Sequence, residues 1–274
     1  MIYLPNPSLQ RRGAFHMKDL IRNASLEAGF FVVGISSVEP STELTHLQQW
    51  LSEDYNGTMK WIARDPRARC DPKTLLPEAK SVICFGLLYG ENGITDKIPP
   101  LPPLQKGGWG DLNKARFARG LDYHEVVSEK LEQVWAAIKK HVPNARHKIC
   151  VDTSPILEKA LAVRAGLGWQ GKHAIVIHPD HGSFFVLGEI ITDIEMEPDS
   201  PVSNRCGDCK KCINACPTKA IVEPNIIDAR RCLSYLTIEH KGVVPDEFQK
   251  YLKPNQCGCD ICQEVCPFNK TAQS

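Results

Sequence analysis

Apolar residues return every three or four positions through MKDLIRNASLEAG, which predicts a helix over Lys18–Ala28 stopped at Gly29. The unbroken apolar run behind it predicts a strand over Phe30–Ile35. ELTHLQQWLSED and GTMKWIARD carry the helical spacing again and predict two further helices. AKSVICFGLLY, bounded by Pro77 and Gly90, reads as a buried strand, and residues 91–113, with IPPLPPLQKGGWGD, read as a loop. Beyond Arg116 a long amphipathic helix is expected, with Val126, Leu131, Val134 and Ile138 on one face. HKICVD gives the next strand. Ser154 with Pro155 behind it signals a helix start, and Gly166 and Gly168 its end. KHAIVIHPDHGSFFVLGEIITD then predicts two β segments around a His-Gly-Ser turn.

Helix and strand signals thus alternate over about 200 residues, which favours an α/β (α+β) core. EMEPDSPVSN is a polar, proline-containing link to a different kind of sequence. Two units are expected: a domain over 1–200 and a cysteine-rich module over 201–274.

Composition narrows this only a little. The chain has 274 residues, 33 Lys and Arg against 32 Asp and Glu, and a formal net charge of +1. Nucleic acid could therefore be held only by a local basic face, not by overall charge. No apolar run reaches the roughly 18–20 residues of a membrane helix. MIYLPNPSLQRRG has two prolines where a secretory leader would be apolar, so a cytoplasmic protein with no membrane association is expected.

The cysteines change the picture most. Of 12, four lie in CGDCKKCINACP, as Cys206, Cys209, Cys212 and Cys216 followed by Pro217. A second, incomplete run holds Cys259, Cys262 and Cys266 followed by Pro267. This is the spacing of bacterial two-cluster ferredoxins, in which the fourth cysteine of each run ligates the other cluster. One 4Fe–4S cluster is then assigned Cys206, Cys209, Cys212 and Cys266. The other is assigned Cys216, Cys259, Cys262 and one more ligand. Cys257 is one residue from Cys259, a tight bite for two corners of a cube, so Cys232 in DARRCLSYLT is preferred. Paired zinc sites are the alternative. Cys70, Cys84 and Cys150 read as small buried apolar residues. Such clusters pass single electrons and seldom do organic chemistry themselves, so the preceding residues should hold the acceptor. No G-x-G-x-x-G follows a strand to suggest a nucleotide cofactor.

Residues 151–193, VDTSPILEKALAVRAGLGWQGKHAIVIHPDHGSFFVLGEIITD, closely resemble the central segment of epoxyqueuosine reductases, as does ARGLDYHEVV at 118–127. Residues 206–242, CGDCKKCINACPTKAIVEPNIIDARRCLSYLTIEHKG, resemble the family's first cluster run and the segment after it. The resemblance implies a cobalamin domain beside a bacterial ferredoxin-like two-cluster module, related to reductive dehalogenases. It implies an oxidoreductase that removes the epoxide oxygen from epoxyqueuosine in tRNA, the last step of queuosine synthesis, fed by a low-potential electron donor. Cys232 as a cluster ligand agrees with it, and a monomer is expected.

Spacing alone reads Asp152 as a helix-start residue; the resemblance makes it the acid that protonates the leaving oxygen. It also points to Arg69, Lys172, His173, Val176, Ser234, Tyr235 and Gly258 as neighbours of a base-off cobalamin. Thr237, Arg231 and Lys241, with Arg230 beside them, become candidate tRNA contacts. Two departures stand out. The sequence ends at CPFNKTAQS where many members continue into helical repeats, making this a short form, and KYLKPNQCGCD replaces the usual approach to the second run. A cobalamin-dependent reductase of a small molecule and a non-catalytic two-cluster electron carrier are the alternatives.

Overall fold

The computed structural model describes residues 16–90, 94, 113–252 and 256–271. The N-terminal MIYLPNPSLQRRG and nearly all of the loop expected over 91–113 lie outside the described residues. In chain order come α1 (Met17–Glu27), β1 (Val32–Ser37), α2 (Leu44–Ser52), α3 (Pro66–Cys70), β2 (Ser81–Leu88), α4 (Tyr123–Lys139) and β3 (His147–Cys150). They are followed by α5 (Glu158–Arg164), the short β4 (Trp169–Gln170) and β5 (Val176–Ile177), and β6 (Phe185–Thr192). The cysteine-rich part holds α6 (Lys211–Ala215), β7 (Ile221–Glu223), β8 (Ile226–Ile227), α7 (Leu233–Ile238), α8 (Asp246–Gln249), α9 (Ile261–Glu264) and α10 (Pro267–Thr271).

The main sheet runs β1-β2-β6-β3 with every pairing antiparallel. The alternation of helix and strand signals therefore resolves as α+β. Alternate residues of each strand face opposite sides. Ile83, Phe85 and Leu87 of β2 pack with Ile21 of α1 and with Val127, Leu131, Val134 and Ile138 of α4. Val82 and Cys84 face the other way, with Cys150, Ile191 and the buried side of α5, Leu161, Ala162 and Ala165. Each fully buried aliphatic side chain here contributes about 1.5–3 kcal/mol.

Three local expectations are corrected. GTMKWIARD forms turns, not a helix. Gly57 adopts φ 54, and a Cβ there would sit 2.4 Å from the Tyr235 hydroxyl, which also accepts the Thr58 N–H at 2.7 Å. A tertiary contact with α7 thus takes up the backbone group that a helix would need. Next, the helix expected from Ser154 begins at Glu158, because Asp152 sits at φ 56 and residues 151–156 bend. Lastly, the helix expected beyond Arg116 begins at Tyr123, with Asp122 as its cap. The two β segments expected over 172–193 do form, β5 pairing with β4 and β6 entering the sheet between β2 and β3. The turn between them is closed by reciprocal backbone bonds of His178 and Gly182, 2.8 and 3.1 Å.

The cysteine-rich part shares its core with the sheet-bearing part before it. Leu233, Tyr235, Leu236 and Phe248 pack against Trp50 and Met59. The Trp50 indole donates to the Ile227 carbonyl at 2.7 Å, and the Ala229 N–H to that of Tyr55 at 2.9 Å. Asn269 accepts the Ser183 N–H through Oδ1 at 2.6 Å and donates through Nδ2 to the Ser183 hydroxyl and the Gln263 carbonyl. This buried network fixes the turn before β6 onto α9 and α10.

Gly34 of β1 lies where the end of α5 crosses the sheet, and a Cβ there would stand 2.1 Å from the Ala165 carbonyl oxygen, a backbone atom. Gly34→Ala is expected to cost about 1–3 kcal/mol or more through overpacking. A thermal midpoint several degrees below the parent, read by circular dichroism, checks this.

Candidate active site

The first cysteine run curls round Gly207, at φ 46, into α6, so Cys206, Cys209 and Cys212 turn toward a common point. With Cys266 they border one small hollow. Cys216, at the end of α6, leaves that group and accepts the Ala220 N–H at its sulfur, 3.2 Å away. Together with Cys232, which precedes α7, and with Cys259 and Cys262, it lines a larger cavity of about 550 Å³. The structure thus gathers the eight cysteines in the crossed sets expected from spacing. Cys257 borders neither space; its carbonyl accepts the Ala115 N–H at 2.7 Å.

Among the described residues no three or more His, Cys, Asp or Glu gather as a single-ion site. The cysteines stand round openings instead, which suits a cluster better than a lone zinc ion. Burial, and then neighbouring cysteines, push thiol pKa values up, to about 11 for Cys259 and further for Cys262. Cys212, Cys232 and Cys266 are also raised, mainly by burial. Four such sulfurs can be thiolates together only when a strongly positive iron core compensates their charge. His173 supports this fit. Its Nδ1 accepts the Ile175 N–H at 3.2 Å, which puts the ring proton on Nε2, and Nε2 is buried without a partner. Burial lowers the His173 pKa to about 4, so the ring is a neutral donor bordering both spaces.

Across the larger cavity stand Asp152, Tyr123, Glu158 and Lys159. The Tyr123 hydroxyl donates to Asp152 Oδ2 at 2.9 Å, and His124 Nε2 lies 3.4 Å from the same oxygen. The other ring nitrogen of His124 is 2.8 Å from Asp122 Oδ1, which also caps α4 by accepting the His124 N–H. The Asp122 pKa is lowered, chiefly by its hydrogen bond to His124. Burial, followed by the nearby Asp152, raises the Tyr123 phenol well above its ordinary value, so it remains a donor. Behind Asp152, Glu158 Oε1 accepts the Asp152 N–H at 2.5 Å and holds the left-handed turn. Glu158 is pushed up to about 7, first by burial and then by Asp152. The ammonium of Lys159 donates to the Ala174 carbonyl at 3.0 Å and is lowered by burial.

The remaining candidates fall in several places. Val176, Ser234 and Tyr235 line the cavity with His173. Lys172 borders the smaller hollow, where its Nζ donates to the carbonyls of Gly207 and Cys209 at 2.6 and 3.0 Å and staples the first cysteine loop. Arg69 is not among the lining residues; its guanidinium lies 4.9 Å from the Trp61 ring centre and donates to the Trp61 carbonyl. Gly258, at φ 78, donates its N–H to Thr237 Oγ1 at 2.9 Å, and that hydroxyl in turn donates to the Leu233 carbonyl. Thr237 is thereby occupied within the fold. Arg231 donates to the Thr218 carbonyl at 2.9 Å, Arg230 pairs with Asp228, and Lys241 is exposed.

Residues 69–153 match the family described as epoxyqueuosine reductase QueG, DUF1730, and residues 205–269 match the 4Fe–4S double cluster binding domain. An epoxyqueuosine reductase of Xanthomonas campestris is 40% identical over 92% of this chain and 70% of its own length. The chain belongs to the epoxyqueuosine reductase family. Among solved structures, epoxyqueuosine reductase from Streptococcus thermophilus is similar with a TM-score of 0.82 and 35% identity, over 92% of this chain and 66% of that one. Epoxyqueuosine reductase with an epoxyqueuosine-modified tRNA-Tyr stem loop is similar with a TM-score of 0.79 and 34% identity, over 93% and 65%. The chain thus spans about two thirds of the length of the relatives it matches. A catabolic reductive dehalogenase shares the fold, with a TM-score of 0.54 at 15% identity. As a family member the chain is an oxidoreductase with a double 4Fe–4S domain.

Sequence reasoning passed over Tyr123, His124, Glu158 and Glu189. Tyr123 and His124 stand inside ARGLDYHEVV, a stretch that served the resemblance as a whole without either residue being singled out. Glu158 and Glu189 look like ordinary surface charges in a helix and a strand until the fold buries them.

If Cys232 closes the second cluster, Cys232→Ala should lower iron from about eight to about four atoms per chain after anaerobic reconstitution. Cys257→Ala should keep the full complement. Iron and sulfide analysis with electron paramagnetic resonance of the reduced protein checks both.

Proposed function

We propose that this chain reduces epoxyqueuosine to queuosine in tRNA, with electrons passing through the two clusters to a cobalamin seated in the cavity. The observation that carries the reading is a single cavity lined both by the cysteines of the second set and by Asp152. The cavity suits a large planar cofactor in its chemistry: Ala174, Ile175, Val176 and Leu187 give it an apolar side, and polar groups stand at its edges. When bound, cobalamin would supply a low-potential metal centre able to take electrons singly and deliver them at carbon.

The chain's own residues then do four things. The set Cys206, Cys209, Cys212 and Cys266 lies off the cavity and receives electrons from a low-potential donor, while the set on the cavity wall passes them on. Asp152 protonates the epoxide oxygen as its bond to carbon breaks, a contribution of typically about 10²–10⁴-fold. Tyr123 and His124 fix its carboxyl through Oδ2. His173, Val176, Ser234, Tyr235 and Gly258 shape the cofactor side, with Lys172 bracing the first cysteine loop. Arg69, held on Trp61, lies off the cavity.

The tRNA would approach over the surface that carries Arg231 and Lys241, with its phosphates drawn by local charge. We infer a monomer of two units, divided near residue 200, working in the cytoplasm, where cysteines stay reduced. No helix among the described residues is long and apolar enough to cross a membrane.

The test is anaerobic reconstitution with iron, sulfide and cobalamin, followed by nucleoside analysis of tRNA bearing epoxyqueuosine. Conversion to queuosine is expected. Asp152→Asn should lower kcat by about 10²–10⁴-fold with the cluster and cobalamin spectra unchanged. Cobalamin binding without conversion would turn the reading to a small-molecule reductase, and failure to bind cobalamin would turn it to an electron carrier.

A further inference from the structure

Glu189 occupies the middle of β6, opposite Cys84 of β2 and Cys150 of β3, with no solvent exposure. Its side chain therefore projects to the α5 side of the sheet. Neither of its carboxyl oxygens meets an N–H or O–H donor. α5 packs against β6, and the side chain that acts on Glu189 most strongly, by charge and by hydrogen bonding, is the carboxyl of Glu158 at the start of α5. Two carboxyls hold each other in a buried site only when one carries a proton, because two carboxylates would repel with nothing to solvate them. Glu158, unlike Glu189, also reaches the cavity wall and binds the Asp152 N–H.

Reductive opening of an epoxide to an alkene takes up two electrons and two protons and releases the oxygen as water. Both C–O bonds break, a C=C bond forms, and each proton goes to the departing oxygen. The clusters supply the electrons, but Asp152 can give only one proton per visit.

We propose that Glu158 and Glu189 hold one shared proton behind Asp152 and that this is the second proton of the reduction, delivered to the cavity by Glu158. This rests on the reading of the chain as an epoxide reductase. An alkoxide or hydroxide oxygen is a far stronger base than a carboxylate, so the transfer runs downhill. The pair regains its proton from solvent by way of the cavity. The groups facing the pair are Asp152, Lys159, Tyr123, Cys150, Cys84 and, further off, Arg164. Of these only Lys159 and Arg164 are positive, and the acidic neighbours favour keeping the proton. Burial and like charge place Glu158 at about 7 and Glu189 well above its ordinary value, so the proton is retained at neutral pH.

Two substitutions separate proton storage from support of the turn. Glu158→Gln keeps an oxygen that can accept the Asp152 N–H but removes the transferable proton, so kcat should fall about 10²-fold or more with KM little changed. Glu189→Gln turns the shared proton into a fixed amide donor that favours ionised Glu158. The alkaline fall of kcat, expected above pH 7 in the parent because Glu189 keeps its proton after Glu158 has lost one, should then begin at least about one pH unit lower.

Infrared spectra of the cluster-loaded chain carrying ¹³C-labelled glutamate carboxyls give a readout apart from turnover. A protonated-carboxyl band should persist at about pH 8 in the parent and disappear in Glu189→Gln. Parental kcat and pH profile in Glu158→Gln would overturn the inference, as would absence of that band from an actively turning-over parent. A parent that shows the band yet converts no epoxyqueuosine would overturn the substrate reading, and the second-proton role with it.

Discussion

Eight cysteines brought close together in a folded chain pose a charge problem that the rest of the structure is arranged to solve. Burial, with neighbouring sulfurs, raises the thiols of Cys212, Cys232, Cys259, Cys262 and Cys266, so these favour the neutral form until a positive iron core compensates their charge. The two runs also exchange their last members: Cys216 stands with Cys232, Cys259 and Cys262, while Cys266 returns to the first run. Neither run is complete without the other. Clusters bound to these two sets would couple their own assembly to the folding of this part, since each set draws on segments far apart in sequence, as Cys206 and Cys266 do.

That coupling reaches into the sheet. The Lys172 ammonium clasps the loop of the first run, Trp50 and Tyr55 grip the strand and turn that precede Cys232, and Asn269 pins the turn before β6. β6 is the strand that both neighbours pair with, and it carries Glu189. The position of the cavity's acidic wall is thus set by the same contacts that hold the cysteine-rich part in place. α5 joins the two, with its apolar side against the sheet and Glu158 and Lys159 at its cavity end.

The acidic wall works by contrast of environment. Asp152 is exposed, with a phenol and an imidazole at one oxygen, Glu158 is half-buried at the cavity wall, and Glu189 is fully buried behind it. Burial and like charge thereby raise the proton affinity of Glu158 and Glu189 above that of an ordinary glutamate. The left-handed backbone at Asp152 is part of this arrangement, since it turns the amide toward Glu158 and the carboxyl toward the cavity.

The sequence by itself determined what local rules can fix. Cysteine spacing limits which sulfurs can share a cube, and it selected the crossed sets, including the distant Cys232 over the adjacent Cys257. Hydrophobic periodicity located α1 and β2 to within two residues, and α4 by its buried face though not by its start at Tyr123, because each buries one face or both against a core. Long matching motifs carried the family. Tertiary structure alone decided the antiparallel order of the sheet, since neither strand direction nor the insertion of β6 leaves a mark in periodicity. It turned GTMKWIARD from helix to turns through a hydroxyl on α7, and delayed α5 until Glu158 through the bend at Asp152. It also drew Glu158 and Glu189, 31 positions apart, into one buried pair. A glutamate's chemistry depends on what surrounds it, and a linear sequence does not list those surroundings.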